Sequence, residues 1–78
     1  MSWNHRVVRR EIELPMSLGG GTEYEYGIYE VFYDPMCITE NPEAPIGETV
    51  EELKKDIDMF LEALNYPVLD YDTLEEIK

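Results

Sequence analysis

The chain has little of several things on which small proteins commonly rely. Its 78 residues include one cysteine, Cys37, and one histidine, His5. A single cysteine excludes an intramolecular disulfide and is typical of a reducing compartment. The lack of a long apolar run or a signal-peptide pattern favours a soluble, cytoplasmic protein. Cations are also scarce, since 6 Lys and Arg face 18 Asp and Glu for a net charge of -12. Direct binding to nucleic acid or an anionic membrane is therefore not expected.

The same scarcity limits the chemistry that the chain can carry. Enzymes need convergent groups, such as a nucleophile with a base or a bound metal. With one His and one Cys, no Ser-His-Asp or Cys-His arrangement can be assembled with confidence. We therefore predict no enzymatic activity, no catalytic residues, no cofactor and no metal site. His5 is expected to have a structural or surface role, and Cys37 to be a half-buried small apolar residue.

The charges that are present are divided unevenly along the chain. Residues 1–10 hold three arginines and no acid, whereas residues 11–78 hold all 18 acids against three lysines. An apolar share of 44% with six tyrosines is too high for a disordered acidic tail. We therefore expect one folded domain over residues 1–78. A chain of this size buries only about 60% of its unfolded surface, so its stability should be modest.

The first half of the chain has the pattern of β-strands. Residues 3–14 are rich in β-branched and aromatic side chains, and residues 24–33 form the clearest strand. Three glycines between them, at positions 19–21, indicate a flexible hairpin tip. Consecutive strands favour antiparallel pairing. A short third strand is expected at residues 36–39.

The second half predicts one amphipathic helix over residues 50–65. Thr49 and Glu52 match a capping box, in which the two side chains satisfy free N–H groups reciprocally, and Pro67 prevents continuation. The apolar residues at helical spacing predict a buried stripe, formed by Val50, Leu53, Ile57, Phe60, Leu61 and Leu64. Residues 67–78 are expected to form an extended segment and one helical turn. The predicted fold is α+β, a small antiparallel sheet of two to three strands covered by this helix.

Two surfaces are candidates for contact with a partner. The first is an acidic helix face, whose carboxylates recur roughly one or two turns apart, at Glu48, Glu51, Asp58 and Glu62. One turn rises about 5.4 Å, close to the spacing of successive phosphates, so such a row can occupy a groove built for a nucleic-acid backbone. The second surface is on the hairpin, where exposed apolar and tyrosine side chains are candidate contacts, namely Met16, Leu18, Tyr24 and Tyr26. The alternative for the helix acids is an ordinary solvated face. The alternatives for the hairpin residues are a flexible tip without contacts, at Met16 and Leu18, and core packing, at Tyr24 and Tyr26.

Parts of the sequence resemble known groups of proteins. A strand–turn–strand order followed by residues 47–53 (GETVEEL) resembles the partial ferredoxin-like domain of HicB-type antitoxins, over about residues 3–64. Three further segments resemble a group of small uncharacterised acidic bacterial and phage proteins, at residues 3–8, 26–31 and 67–71. In size and acidity the chain is similar to phage-encoded inhibitors, including anti-CRISPR proteins.

Composition and resemblance together favour one function and leave an alternative open. The leading hypothesis is a non-enzymatic acidic module that docks on a basic, nucleic-acid-handling protein and blocks it, as a nucleic-acid mimic or phage-type inhibitor. The alternative, implied by the first resemblance, is a HicB-like antitoxin or regulatory partner of a small toxin. In either case the partner is a protein with a basic surface. A homodimer is also left open.

Overall fold

Alternating β-branched and aromatic residues extend the first half of the chain into a long hairpin. In the computed structural model, which describes residues 2–77, strand β1 spans Ser2–Glu13 and β2 spans Thr22–Tyr33. They pair antiparallel in unbroken register, from Ser2 opposite Tyr33 to Glu13 opposite Thr22. A 3-10 turn, Met16–Leu18, and three glycines with φ of 94°, 69° and 91° connect them. Side chains with a Cβ rarely adopt this left-handed conformation, which explains the glycines.

Two short strands widen the hairpin into a sheet with the order β3-β2-β1-β4 within residues 2–77. β3 (Cys37–Ile38) pairs antiparallel with β2, and β4 (Leu69–Asp70) pairs parallel with β1. The α+β class is confirmed, but the predicted antiparallel sheet of two to three strands is wrong, because this part of the chain forms a mixed sheet of four. A parallel pairing between distant segments leaves no local sequence signal. Cys37 is exposed rather than half-buried because it lies on an edge strand.

The main apolar cluster lies on one face of the sheet, which we call the far face. Val8, Tyr29, Val31 and Leu69 are fully buried there. The ring of Tyr71 packs on the cluster, with its centroid 5.8 Å from that of Tyr29. Burial of such side chains contributes roughly 1.5–3 kcal/mol each. The chain after β4 is therefore an integral part of the core.

The segment after β4 forms a turn instead of the predicted helical turn. Its backbone returns to the sheet through a bridge between Leu69 and Glu76, and the N–H of Ile77 donates to the carbonyl of Val68 at 2.7 Å. Asp70 begins the turn, because its carboxylate accepts hydrogen bonds from the N–H groups of Asp72 and Thr73. This side-chain cap offers the backbone an alternative to a helix.

Helix α1 spans Val50–Glu62 and continues as a 3-10 turn over Ala63–Asn65. The Thr49 hydroxyl accepts a hydrogen bond from the N–H of Glu52 at 3.1 Å, as predicted. The reciprocal half of the cap differs, because the Glu52 carboxylate accepts from the N–H of Glu48 at 3.0 Å. Within residues 2–77, no helix has the length and apolar character needed to cross a membrane.

α1 packs mainly through Phe60 on the other face of the sheet, which we call the helix-side face. On β1 this face carries Trp3, His5, Val7, Arg9 and Glu11. The ring of Phe60 lies 4.4 Å from that of His5. The prediction of a buried stripe is wrong, because Phe60, 8% exposed, is the member of the stripe that is buried. Four other members are largely exposed, at 82% for Val50, 40% for Ile57, 56% for Leu61 and 65% for Leu64. Adjacent strands lie about 4.8 Å apart, so a helix that crosses a narrow sheet buries only about one turn.

Candidate protein-binding surface

The most buried cation, Arg6, is used inside the molecule. It is 6% exposed, and its guanidinium donates to the hydroxyl of Tyr33 at 3.1 Å and to the carbonyl of Pro67 at 2.9 Å. Its other neighbours are the carboxylate of Glu76, at 3.7 Å, and the ring of Tyr66, 5.2 Å away. A buried charge is tolerated only when it is paired and hydrogen-bonded. Arg6 therefore ties the C-terminal segment to β1.

Arg9 is also compensated within the molecule. Its guanidinium lies 4.1 Å over the centroid of the Tyr24 ring. One of its nitrogens lies 3.8 Å from the carboxylate of Asp70, the residue that faces Arg9 in the parallel pairing. Cation–π contacts and half-exposed ion pairs contribute up to about 1 kcal/mol each.

Arg10 completes the set of stacked arginines on β1. Its guanidinium lies 4.2 Å over the ring of Tyr71 and donates to the carbonyl of Glu40 at 3.4 Å. A hydrogen bond with the side chain of Tyr29 is the main reason that the pKa of Arg10 is raised above its ordinary value. Arginine is charged at physiological pH in any surroundings, and the guanidinium of Arg10 lies against a tyrosine ring of the protein itself.

Carboxylates, by contrast, remain on the surface. Glu51, Asp58 and Glu62 lie on the solvent face of α1 and are exposed; we call them the acidic row. Successive members are separated by about 10 Å and about 6 Å along the helix axis. Lys54 and Lys55 lie within one turn of the row, so its field is partly offset. Three of the four acids predicted for this surface therefore share one helix face.

The other acids near α1 have structural roles. Glu48, the fourth predicted acid, precedes the helix, and its exposed side chain lies outside the acidic row. Glu52 accepts the cap hydrogen bond described above. Asp56 accepts a hydrogen bond from the N–H of Ile46 at 2.8 Å, which holds the incoming loop against α1.

The predicted hairpin contacts form a second, separate surface. Met16 and Leu18 are exposed in the 3-10 turn, and Tyr24 and Tyr26 are exposed on β2 near the same end. α1 packs around His5, and a strand rises about 3.3 Å per residue, so the hairpin tip lies about 30 Å from that contact. The structure therefore separates Met16 and Leu18 from the acidic row, whereas Tyr26, opposite Arg9, lies only about 13 Å along the strand from His5.

Two surface cavities border His5 where α1 meets the sheet. Trp3 and Met59 line one of them, and Glu30 and Asp56 line the other. Across residues 2–77, no three or more His, Cys, Asp and Glu side chains are grouped so that they could hold a metal ion. His5 itself is buried between Trp3 and Phe60, which corresponds to the structural role considered from the sequence.

An apolar flank of α1 was missed as a surface, because its residues were assigned to the core. Ile57, Leu61 and Leu64 remain substantially exposed in the folded chain. The sequence did hold a signal for this surface, because a two- to three-stranded sheet is too narrow to cover all six apolar residues of the predicted stripe. Contiguous exposed apolar residues rimmed by charge are typical of interaction sites.

Comparisons of the chain with protein-family models, with curated proteins and with solved structures return no match. No relative therefore supplies a partner, a substrate or a residue role for these surfaces.

Proposed function

We propose that this protein is a non-enzymatic binding module that docks its acidic surface on a basic, nucleic-acid-handling protein and blocks it. The observation that carries the proposal is the contrast between three arginines used inside the molecule and the acids of α1, which outnumber its two exposed lysines. Arg6, Arg9 and Arg10 stack on tyrosines or pair with acids of the same chain. The acidic row on α1 is exposed. A partner that approaches α1 therefore meets a largely anionic surface.

Electrostatic competition is the mechanism that follows from this surface. With a net charge of -12, the protein attracts a basic partner over a distance and accelerates encounter. At contact, the carboxylates of Asp58 and Glu62, about 6 Å apart, take positions that phosphates occupy on lysine and arginine side chains. Because surface charges are screened by salt, such an interaction weakens steeply as ionic strength rises.

The hairpin adds an apolar component to the same function. Met16 and Leu18 at the tip and Tyr24 and Tyr26 on β2 are exposed. Tyrosine is enriched at the centres of protein interfaces because it supplies a large rigid contact with a polar end. We assign Met16, Leu18 and Tyr24 to contacts with a second region of the partner, beyond the site reached by the acidic row. Tyr26 lies nearer α1 and is available to the region of the partner that contacts the helix.

Displacement from a polyanion resin tests the proposal. Host proteins that bind nucleic acid are retained on heparin, and the purified protein is added at constant ionic strength. We expect it to release its partner, whereas the variant Glu51→Lys/Asp58→Lys/Glu62→Lys should not. The matched control, Glu23→Lys/Glu40→Lys/Glu75→Lys, changes the net charge equally at exposed positions away from α1.

The outcomes separate the alternatives. If both triple variants release the same protein as well as the parent does, the acidic row is not the docking surface and the proposal fails. If the released protein is a small toxin, the antitoxin alternative replaces the inhibitor.

A further inference from the structure

The helix-side face extends beyond α1 towards the hairpin tip. The register places Val7 opposite Ile28 and Arg9 opposite Tyr26 on this face. α1 contacts the face at His5, two residues before Val7. From Val7 to Glu13 the strand runs about 20 Å, and Tyr26 on this stretch is 60% exposed. Val7 and Ile28 are half-buried, so Tyr26 contributes most of the exposed apolar surface of this stretch, which we call the floor.

The exposed flank of α1 forms a wall beside this floor. Asp56 and Met59 line the cavities that contain Trp3, so this flank of the helix faces the beginning of β1. Leu61 lies about 200° around the helix from Met59. Ile57 and Leu61 therefore face the opposite way, along β1 towards Tyr26.

Floor and wall together form one apolar corner, which we call the shelf. Its members are Val7, Tyr26 and Ile28 on the sheet and Ile57, Leu61 and Leu64 at the wall. Packed helices lie 8–10 Å apart and are about 10–12 Å in diameter. A stretch of about 20 Å beside α1 is therefore wide enough for one more helix on the same face.

The charges around the shelf determine which helix fits. On α1, Asp58 and Lys54 lie beside Leu61, whereas Glu62 lines the cavity on the opposite flank. Glu11 and Glu13 border the far end of the floor. Arg9, the cation on the floor, is already stacked on Tyr24 and paired with Asp70. A second copy of this chain would bring another -12 to these acidic borders, whereas a helix with basic flanks would neutralise them.

We propose that the shelf binds a basic amphipathic helix of the partner protein, which lies beside α1 with its apolar side on the floor and wall. The proposal rests on the proposed function and specifies the partner element. Apolar anchors of the helix at i, i+3, i+4 and i+7 contact Tyr26 and Leu61. Its lysines and arginines reach the acidic borders on both sides.

Two synthetic peptides test this assignment. One is a helix of leucine and lysine, about 18 residues or five turns long, with all leucines on one side. The other has the same composition in an order that gives no apolar side. Titration of the isotope-labelled protein is followed by amide chemical shifts. We expect the amphipathic peptide to bind about tenfold or more tightly than the scrambled one, with shifts concentrated at the shelf.

Variants at exposed positions provide the control. Tyr26→Ser/Leu61→Ser removes apolar contacts from the shelf and should weaken the amphipathic peptide about tenfold. Met16→Ser/Leu18→Ser removes as many exposed apolar side chains at the hairpin tip and should leave its affinity unchanged. The amide spectrum of each variant without peptide verifies that it is folded.

The results distinguish failure of the shelf from failure of charge-driven docking. Equal binding of both peptides, or shifts outside the shelf, would overturn the shelf and leave the acidic row as the docking surface. Amphipathic binding that survives both high salt and Glu51→Lys/Asp58→Lys/Glu62→Lys would overturn the electrostatic function. A stable dimer that buries Leu61, or no binding by either peptide, would overturn the assignment of a basic helix.

Discussion

Replacing Phe60 with alanine tests how α1 is attached to the sheet. Phe60 is the buried residue of α1, 8% exposed, with its ring 4.4 Å from that of His5. Removing a core phenylalanine costs about 3–5 kcal/mol, because transfer free energy is lost and a cavity remains. A domain of this length has about 4–12 kcal/mol of unfolding free energy. The substitution should therefore remove a large share of the stability.

Urea unfolding measured by two probes gives the comparison. Far-ultraviolet circular dichroism reports on α1. The fluorescence of Trp3, the single tryptophan, reports on the contact between α1 and the sheet, because its ring lies 5.3 Å from that of His5. The matched control is Leu61→Ala, the next residue, which is 56% exposed and should cost no more than about 1.5 kcal/mol. If both variants unfold at the same urea concentration, Phe60 is not the anchor and the reasoning from burial is refuted.

Three other perturbations test the buried arginine, the loop before α1 and the net charge. Arg6→Met should lower the free energy of unfolding by about 2–3 kcal/mol, because two acceptors lose a charged donor. Hydrogen exchange should accelerate first at the N–H of Ile77, and unchanged exchange there would contradict the role of Arg6 in tying the C-terminal segment to β1. Gly47→Ala should lower the free energy of unfolding by about 1–3 kcal/mol, because a Cβ at this position collides with the backbone of Leu53. An unaltered melting temperature would contradict this steric argument. Raising NaCl to about 0.5 M should increase the melting temperature by screening self-repulsion, and a decrease would show that ion pairs outweigh the net charge.

Local chemistry made part of this fold predictable. Thr49 caps α1 because its hydroxyl reaches a free N–H three residues later, which depends on adjacent residues alone. The alternation in residues 24–33 placed Tyr29 and Val31 on one face of β2, and both are buried. The acidic row was predictable for the same reason, since the helical period determines which carboxylates share a face.

The remainder depends on contacts between distant segments. Ile57, Phe60 and Leu61 have the same apolar character and spacing, and only the place where α1 crosses β1 decides that Phe60 is the one buried. The role of the three arginines was open because their aromatic partners come from three separate segments of the chain, at Tyr24, Tyr66 and Tyr71. β4 went undetected because two residues that pair with a remote strand carry no periodic signal.

The position of Leu69 in the apolar cluster has a consequence for the order of folding. The hairpin joins neighbouring segments, so its pairing is fast, whereas closure of the far face waits for a segment near the other end of the described chain. Until β4 docks, Tyr29 and Val31 lie on an uncovered strand face. Any opening that releases this segment therefore uncovers the aromatic ring of Tyr29, which becomes a contact surface for neighbouring chains.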